Sequence, residues 1–379
     1  MSKTVTQERA TASGLDNVVA AETNLSHVDG EAGRLIVAGY EVETLVKTHD
    51  FEGAVAELWR AAGAETGDLK AALGSARTAA FRLVPPLLSR NCHKTVTEGL
   101  RTGLSMLPDG EPTPGISRDI PAQVSDALRV LGAAPVFVAA LCRQQEGKSP
   151  VAPDPTAGHA ADFLHMLRDA EASSAEVEAL NAYLVTVMDH GMNASTFTAR
   201  VIAATRAGTI SAVVGALCAL KGPLHGGAPG PVLDMLDEIG TEANIRPWLE
   251  AAIARGDRLM GFGHRVYKVR DPRADVFAHA VSLLTNNNER LRFARKVEHE
   301  ALAALKEAKP GQRLDTNMEY YTAVLLEALG IPRDAVTPVF AMARIAGWTA
   351  HVMEQERVGR LIRPQSVYVG DWPEETRAA

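Results

Sequence analysis

The chain has 379 residues, a length that allows two domains and a large hydrophobic core. Hydrophobic residues make up 46% of it and aromatic residues only 5%, and an abundance of alanine and leucine favours closely packed helices over a β-sandwich. With 39 basic and 46 acidic residues the formal net charge is -7, which argues against a general role in binding nucleic acids or anionic membranes. An anionic substrate would therefore need a local cluster of arginines.

The cysteines and the apolar runs indicate the compartment. The three cysteines are odd in number and none belongs to a CxxC pair, so neither a disulfide framework nor a zinc knuckle is expected. Residues 1–13 are polar and do not form a secretory signal. The longest apolar runs, such as Ile210–Leu220 and Ala133–Cys142, are shorter than the roughly 20 residues needed to cross a bilayer. We therefore expect a soluble, cytoplasmic protein.

The first third of the chain predicts short strands followed by scaffold helices. Residues 14–40 contain valine, isoleucine and a turn at Asp29-Gly30, and are typical of short strands or extended arms. Asp50 is placed to cap a helix whose apolar residues follow helical spacing. Further helical patterns cover Ala71–Leu88 and Gln123–Gln144.

The middle of the chain predicts a histidine at a helix end. Ser173 and Glu176 form a plausible capping box for a helix that ends at Asp189-His190-Gly191. A histidine in the last turn of a helix has its charged form favoured by the helix dipole, which suits carboxylate binding. The alternative is that His190 merely caps the helix. Asn193 is placed to cap the next one.

The stretch 222–227, Gly-Pro-Leu-His-Gly-Gly, predicts a tight turn that presents His225. It follows Thr209–Leu220, an apolar helix of small residues suited to close packing of helices or subunits. A further helix is expected to begin at Pro231, and its positive end would favour a neutral His225 that donates a hydrogen bond. The alternative is an ordinary corner between helices.

Further chemical groups follow in the last third of the chain. Gly261-Phe262-Gly263-His264 is a second glycine-flanked histidine, and Asp271-Pro272 opens a helix that places Arg273 in its first turn. Glu319 is an acid with buried-looking neighbours, and Arg344 lies among apolar residues where a charge is costly without an anion. Arg363 lies in an extended segment before Pro364.

Two loop histidines and one acid suit a carbon-acid reaction if the fold brings them together. The acid removes a proton next to a carbonyl, and each histidine donates a hydrogen bond to an oxygen that becomes negative. The motif GxG at 261–263 lacks the third glycine of a dinucleotide fingerprint, and the 11 histidines show no metal-binding spacing. No metal is expected.

Four separated motifs resemble one family. The segments GPLHGGAPGPVLDML, GFGHRVYKVRDPRADV, DHGMNASTFTARVI and TPVFAMARIAGW through RLIRPQSVYVG are similar to those of citrate synthases, in the short bacterial form that includes 2-methylcitrate synthases. The resemblance extends from about Gly14 to Gly370. It implies an all-α fold with a large domain of residues 1–225 and 325–379, a small domain of residues 226–324, and minor strands near the N-terminus.

The resemblance also implies roles for individual residues. Glu319 takes a methyl proton from acetyl-CoA, His225 stabilises the thioester oxygen of the enol, and His264 polarises the ketone of oxaloacetate. The positions that hold the carboxylates are His190, Arg273, Arg344 and Arg363, the last contributed by the partner in a homodimer. Lys268, Arg270 and Arg313 are weaker candidates for the CoA phosphates and could equally be surface charges. No tightly bound cofactor is implied.

One departure and two alternatives accompany this interpretation. The family usually has Asp where this chain has Glu319, and the extra methylene displaces the carboxylate by up to ~1.5 Å, enough to cost roughly a hundredfold in rate if uncompensated. The first alternative is 2-methylcitrate synthase, which uses propionyl-CoA and differs by one methylene worth about 1 to 3 kcal/mol in a pocket. The second is a catalytically silent binding or assembly protein that keeps the fold.

Overall fold

A computed structural model of the chain describes residues 13–15, 18–90, 95–111, 121–226, 230–263, 271–285, 288–311 and 314–371. Over these residues the fold is helical, as predicted. The helices are α1 (Val42–Thr48), α2 (Phe51–Ala61), α3 (Leu69–Phe81), α4 (Val84–Arg90), α5 (Val96–Ser105), α6 (Ala122–Gln145), α7 (His159–Arg168), α8 (Ser174–Val187), α9 (Ala194–Ala203), α10 (Thr209–Leu220), α11 (Gly230–Ile239), α12 (Ile245–Arg255), α13 (Pro272–Thr285), α14 (Glu289–Ala308), α15 (Met318–Ala328) and α16 (Val336–Val358).

A small antiparallel sheet precedes the helices. Its strands are β1 (Ser26–Asp29), β2 (Arg34–Val37) and β3 (Tyr40–Glu41), in that order, and Ser26 is paired with Val37. The turn predicted at Asp29-Gly30 joins β1 to β2. The expectation of short strands near the start of the chain is therefore confirmed.

Side-chain caps fix the starts of several helices. Asp50 accepts a hydrogen bond from the backbone N–H of Gly53, and Ser173 and Glu176 form both halves of a capping box at α8. Asn193 caps α9 as expected. The predicted helix over Ala71–Leu88 is two helices, because α3 ends at Phe81 and the two prolines of α4 lie in its first turn, where their missing N–H groups cost nothing.

Two long helices form the centre of the core. α6 packs against α3, α5 and α7, and it contacts α16, which in turn packs against α8, α9 and α10. By length and hydropathy α6 could cross a membrane, contrary to the expectation from the shorter apolar runs, but its apolar window is entirely buried inside the protein. α6 is thus the core helix of a globular protein.

The helices α11 to α15 form a second group. Within it, α12 packs on α14, and α13 and α11 pack on α15. This group meets the remainder mainly where α13 lies against α8. The segment between the end of α8 and the start of α9 is therefore close to the junction, as are the first turns of α13.

Candidate active site

His225 lies in a tight turn that follows α10. The backbone N–H of His225 donates to the carbonyl oxygen of Gly222 at 3.0 Å, and the hydroxyl of Thr337 on α16 donates to the carbonyl oxygen of Gly226 at 3.0 Å. A Cβ atom at Gly226 would lie 2.5 Å from the carbonyl oxygen of Leu220, so the turn requires glycine there. The predicted tight turn is confirmed in this part of the motif.

The ring of His225 is half-buried and oriented by Ser195, in the first turn of α9. The Ser195 hydroxyl is 2.8 Å from Nε2 of His225, and the backbone N–H of Ser195 donates to the same nitrogen at 3.3 Å. Because a backbone N–H only donates, Nε2 must accept, and the proton of a neutral ring lies on Nδ1. Trp348 donates from Nε1 to the Ser195 hydroxyl at 3.2 Å and so holds it in place.

Burial and a nearby cation favour the neutral form of His225. Burial lowers the pKa of His225, and the positive charge of Arg344 lowers it further. The expected contribution of the helix after the turn involves residues 227–229, which lie outside the described part of the chain. The lowered pKa agrees with the predicted neutral form of His225, and its causes are burial and the charge of Arg344.

Glu319 lies in the first turn of α15. The side chain of Asn317 caps this helix by accepting hydrogen bonds from the N–H groups of Glu319 at 3.0 Å and Tyr320 at 3.3 Å. Burial raises the pKa of the Glu319 carboxyl, opposed by the positive charges of Arg258 and Arg273. A raised pKa makes the carboxylate a stronger base, as proton removal from carbon requires.

Arg344 is a buried cation in the middle of α16, with 2% of its surface exposed. Its Nε donates to the carbonyl oxygen of Val187, at the end of α8, at 2.6 Å, and its Cζ lies 4.6 Å from the centre of the Phe340 ring. Burial lowers the pKa of Arg344 to about 10, reinforced by Arg273 and opposed by Asp189. A cation with so few polar contacts matches the predicted need for an anion.

Arg273 is also buried, at the start of α13. Its Nε and Nη2 donate to the two carboxylate oxygens of Asp271 at 3.0 and 2.7 Å, and its backbone N–H donates to the same carboxylate at 3.0 Å. The bidentate pair holds the guanidinium in a fixed plane. Asp271-Pro272 therefore opens the helix as predicted and, in addition, orients Arg273.

His190 lies beyond the end of its helix, so the dipole argument for its charge was wrong: α8 ends at Val187, and His190 is in the turn that follows. The turn is held by Asp189, which is fully buried. The Asp189 carboxylate accepts hydrogen bonds from the Ser26 hydroxyl and from the backbone N–H of Gly191, and Nε2 of His351 is 3.2 Å from it. These contacts fix the backbone on both sides of His190.

Asp189 stays charged despite its burial. Desolvation raises its pKa, but the contacts with His351, Arg344 and Ser26 outweigh this, and the net effect is a lowered pKa. Arg200 donates to Nδ1 of His351 at 2.8 Å, so the ring proton of His351 lies on Nε2 and faces Asp189. The carboxylate therefore contributes a fixed negative charge beside Arg344.

Among the other predicted residues, the structure describes only Arg363. Arg363 is exposed in the extended segment after α16. The remaining predictions fall on residues outside the described part of the chain, namely His264, Lys268, Arg270 and Arg313.

The structure brings four predicted residues into one electrostatic neighbourhood. The charge of Arg344 acts on His225, Arg273 acts on Arg344, and Arg273 acts on Glu319. Sequence analysis missed two members of this site. Arg258 had the appearance of an ordinary surface charge, and Ser195 was hidden inside the motif NASTF, where a serine in a first helical turn needs no further explanation.

The arrangement provides a base, a neutral hydrogen-bond donor and two buried cations. Within the described residues, no group of three or more histidines, cysteines or carboxylates is arranged to hold a metal ion. A carboxylate base can remove a proton to form an enolate, and an imidazole N–H can stabilise the enolate by a hydrogen bond. Two neighbouring guanidinium groups are suited to a substrate with carboxylates.

Comparison with known proteins agrees with this chemistry. The chain matches the family described as citrate synthase, C-terminal domain, over residues 14–365. It is 36% identical over 366 residues to citrate synthase 2 of Bacillus subtilis, covering 94% of this chain and 95% of that protein. It is 37% identical over 364 residues to the 2-methylcitrate synthase of Mycobacterium tuberculosis, covering 94% and 90%.

A solved structure shares the fold. The citrate synthase of Thermoplasma acidophilum, in a ternary complex with carboxymethyl coenzyme A and oxaloacetate, superposes with a TM-score of 0.81 at 27% identity, covering 96% of this chain and 97% of that one. Since the family match spans nearly the whole chain and the site contains an acid, a neutral histidine and buried arginines, this protein belongs to the citrate synthase family of acyltransferases.

Proposed function

We propose that the protein condenses acetyl-CoA with oxaloacetate and water to give citrate and CoA. The observation that carries the proposal is the electrostatic neighbourhood of Glu319, His225, Arg273 and Arg344, in which a stronger base and a neutral donor lie beside two buried cations. The relative from Thermoplasma acidophilum, with carboxymethyl coenzyme A and oxaloacetate, supports the same pair of substrates.

The first step is removal of a proton from the methyl carbon of acetyl-CoA. Glu319 accepts this proton, and its raised pKa increases its basicity. Nδ1–H of His225 donates to the thioester oxygen while the enol forms, since Nε2 is already engaged by Ser195. A neutral imidazole suits this role because its N–H stays available throughout the reaction.

The second step joins the enol carbon to the ketone carbon of oxaloacetate. His264 polarises the ketone oxygen, and His190, Arg273 and Arg344 bind the carboxylates. Arg363 is contributed by the partner chain, so a homodimer is the active unit. Water then hydrolyses the thioester of citryl-CoA and releases CoA. The phosphates of CoA are bound by Lys268, Arg270 and Arg313.

Closure of the helices of residues 226–324 onto the remainder completes the site and excludes water. The contact of α13 with α8 supports this, because it places Arg273 and Arg344 on opposite sides of the junction. No tightly bound cofactor takes part, and the reaction takes place in the cytoplasm.

The test is release of free CoA thiol from acetyl-CoA and from propionyl-CoA, each with and without oxaloacetate. We expect oxaloacetate-dependent release with a higher kcat/KM for acetyl-CoA. A higher kcat/KM for propionyl-CoA would assign the protein as a 2-methylcitrate synthase, the activity named for the relative from Mycobacterium tuberculosis. No thiol above background with either substrate would favour a silent binding protein and overturn the proposal.

A further inference from the structure

Tyr183 on α8 has a hydroxyl that the folded chain leaves without a partner. The side chain is fully buried, and its oxygen forms no hydrogen bond with the described residues. Among the described residues, the other two buried tyrosines differ, because Tyr320 donates to the carbonyl oxygen of Ala294 at 2.6 Å and Tyr321 donates to Glu298. An unpaired buried hydroxyl costs about 1–3 kcal/mol, so its presence at Tyr183 calls for a binding partner.

Packing places Tyr183 beside both arginines of the candidate site. The centre of its ring lies 5.5 Å from the centre of the Phe277 ring on α13. Phe277 is one turn after Arg273 on the same face of that helix. On α8, Tyr183 is one turn before Val187, whose carbonyl oxygen accepts from Arg344. Tyr183 therefore lies between α13, which carries Arg273, and the end of α8, which contacts Arg344.

The electrostatic effects of Tyr183 and Arg344 on each other agree with this placement. Burial raises the pKa of Tyr183, while Arg344 acts in the opposite direction, and Tyr183 has the reciprocal effect on Arg344. The phenol remains protonated at neutral pH and is a hydrogen-bond donor. A neutral donor adds recognition of an anion without a third positive charge beside two buried guanidinium groups.

We propose that the Tyr183 hydroxyl donates a hydrogen bond to a carboxylate of the dicarboxylate substrate that Arg273 and Arg344 bind. This inference rests on the proposed function, because it assigns a further binding residue to the same site. The substrate then supplies the acceptor that the folded chain lacks. Tyr183 thereby links substrate binding to the contact between α8 and α13.

The test is Tyr183→Phe, which removes one oxygen atom and keeps the ring packed on Phe277. A hydrogen bond to a charged group is worth about tenfold or more in affinity. We expect Kd and KM for oxaloacetate to rise about ten- to a hundredfold, with KM for acetyl-CoA near that of the wild type. Without oxaloacetate the variant should resist urea at least as well as the wild type, since an unpaired buried hydroxyl is gone.

Tyr321→Phe is the matched control, because it removes a buried hydroxyl that already has a protein partner. It should lower the urea midpoint and leave Kd for oxaloacetate unchanged. If Tyr183→Phe behaves in this way, the hydroxyl has a structural role and the inference is overturned.

Measuring Kd by calorimetry with oxaloacetate alone separates this inference from the proposed function. Wild-type protein that binds oxaloacetate but releases no CoA would overturn the proposed reaction, and the Kd ratio of the variant would still decide the role of Tyr183. Wild-type protein that does not bind oxaloacetate would overturn both.

Discussion

Two buried arginines at α16 have contrasting contacts: Arg200 of α9 packs against this helix, and Arg344 belongs to it. Toward its C-terminal end, Arg200 of α9 donates to Glu354 at 2.7 Å, to His351 at 2.8 Å and to Gln355 at 3.1 Å. Toward its N-terminal end, Arg344 has one hydrogen bond to a carbonyl oxygen and one aromatic ring. The two guanidinium groups are equally buried, at 1% and 2% exposure.

The difference separates structural from functional burial of charge. Arg200 is neutralised and hydrogen-bonded by its own chain, so its burial cost is offset within the fold. Arg344 forms no salt bridge with a carboxylate of the described residues, although the charge of Asp189 acts on it, and burial lowers its pKa to about 10. A cation left in that condition retains its capacity to bind an anionic ligand. The same reasoning applies to Glu319, whose carboxylate forms no hydrogen bond with the described residues and has a raised pKa.

The largest effect is expected from Glu319→Gln. The amide keeps the shape of the side chain but cannot accept the methyl proton, so kcat should fall by about 10²- to 10⁴-fold. Binding of oxaloacetate, measured by calorimetry, should be nearly intact because the arginines are unchanged. Loss of turnover and of oxaloacetate binding together would mean that Glu319 belongs to the anion site and that its assignment as the base is wrong.

A pair of leucine variants tests the contrast along α16 directly. Arg200→Leu leaves Glu354 buried without its partner, so we expect a loss of about 3–5 kcal/mol in the free energy of unfolding. Arg344→Leu removes an incompletely paired cation and should change stability by less than about 1 kcal/mol. It should, however, raise Kd for oxaloacetate by at least about a hundredfold.

Urea unfolding and calorimetry on the same two proteins measure both quantities. The contrast is contradicted if Arg344→Leu destabilises the fold as much as Arg200→Leu while oxaloacetate still binds normally. Arg344 would then be a structural residue in spite of its few polar contacts.

Local signals in the sequence predicted most of the helices. The caps at Asp50, Ser173 and Asn193 depend on hydrogen bonds that span three residues, and all three are present. The split between α3 and α4 was missed because the apolar pattern continues through it. The end of α8 was also misplaced. The sequence predicted that the helix ends at Asp189-His190-Gly191, but it ends at Val187.

The burial of Arg344 was predictable from the sequence, but the contacts that support the candidate site were not. The buried environment of Arg344 was visible from its apolar neighbours, whereas its acceptor Val187 is 157 residues away in the chain. Ser195 contacts His225 across 30 residues, and its Trp348 partner lies still further along. Such contacts depend on how α8, α9 and α16 pack together, and a single sequence does not specify helix packing at that level.

Two histidines offer the last contrast, because burial favours the neutral form of both but only one is at the site. His159 at the start of α7 is fully buried, its ring nitrogens form no hydrogen bond with the described residues, and burial lowers its pKa well below 6.5. For His225 the shift has the same direction and is caused by burial and Arg344.

The sign of the pH dependence follows from proton uptake. Between the folded pKa and 6.5 the unfolded chain binds a proton that the folded chain does not, so stability falls as pH drops below 6.5 and is fully present above it. Each such histidine gives a slope of up to about 1.4 kcal/mol per pH unit. We expect His159→Leu to flatten this slope in urea unfolding, whereas His299→Gln, on the exposed face of α14, should keep the wild-type slope.

Activity should report on the other histidine. Because burial and Arg344 lower the pKa of His225 below 6.5, kcat measured on folded protein should persist into mildly acidic solution, in both the wild type and His159→Leu. If His159→Leu instead shifts the pH profile of kcat and leaves the stability slope unchanged, the division between a structural and a catalytic histidine fails. Together, the pH slope of stability and the pH profile of kcat thus show whether His159 acts only on stability and His225 on activity.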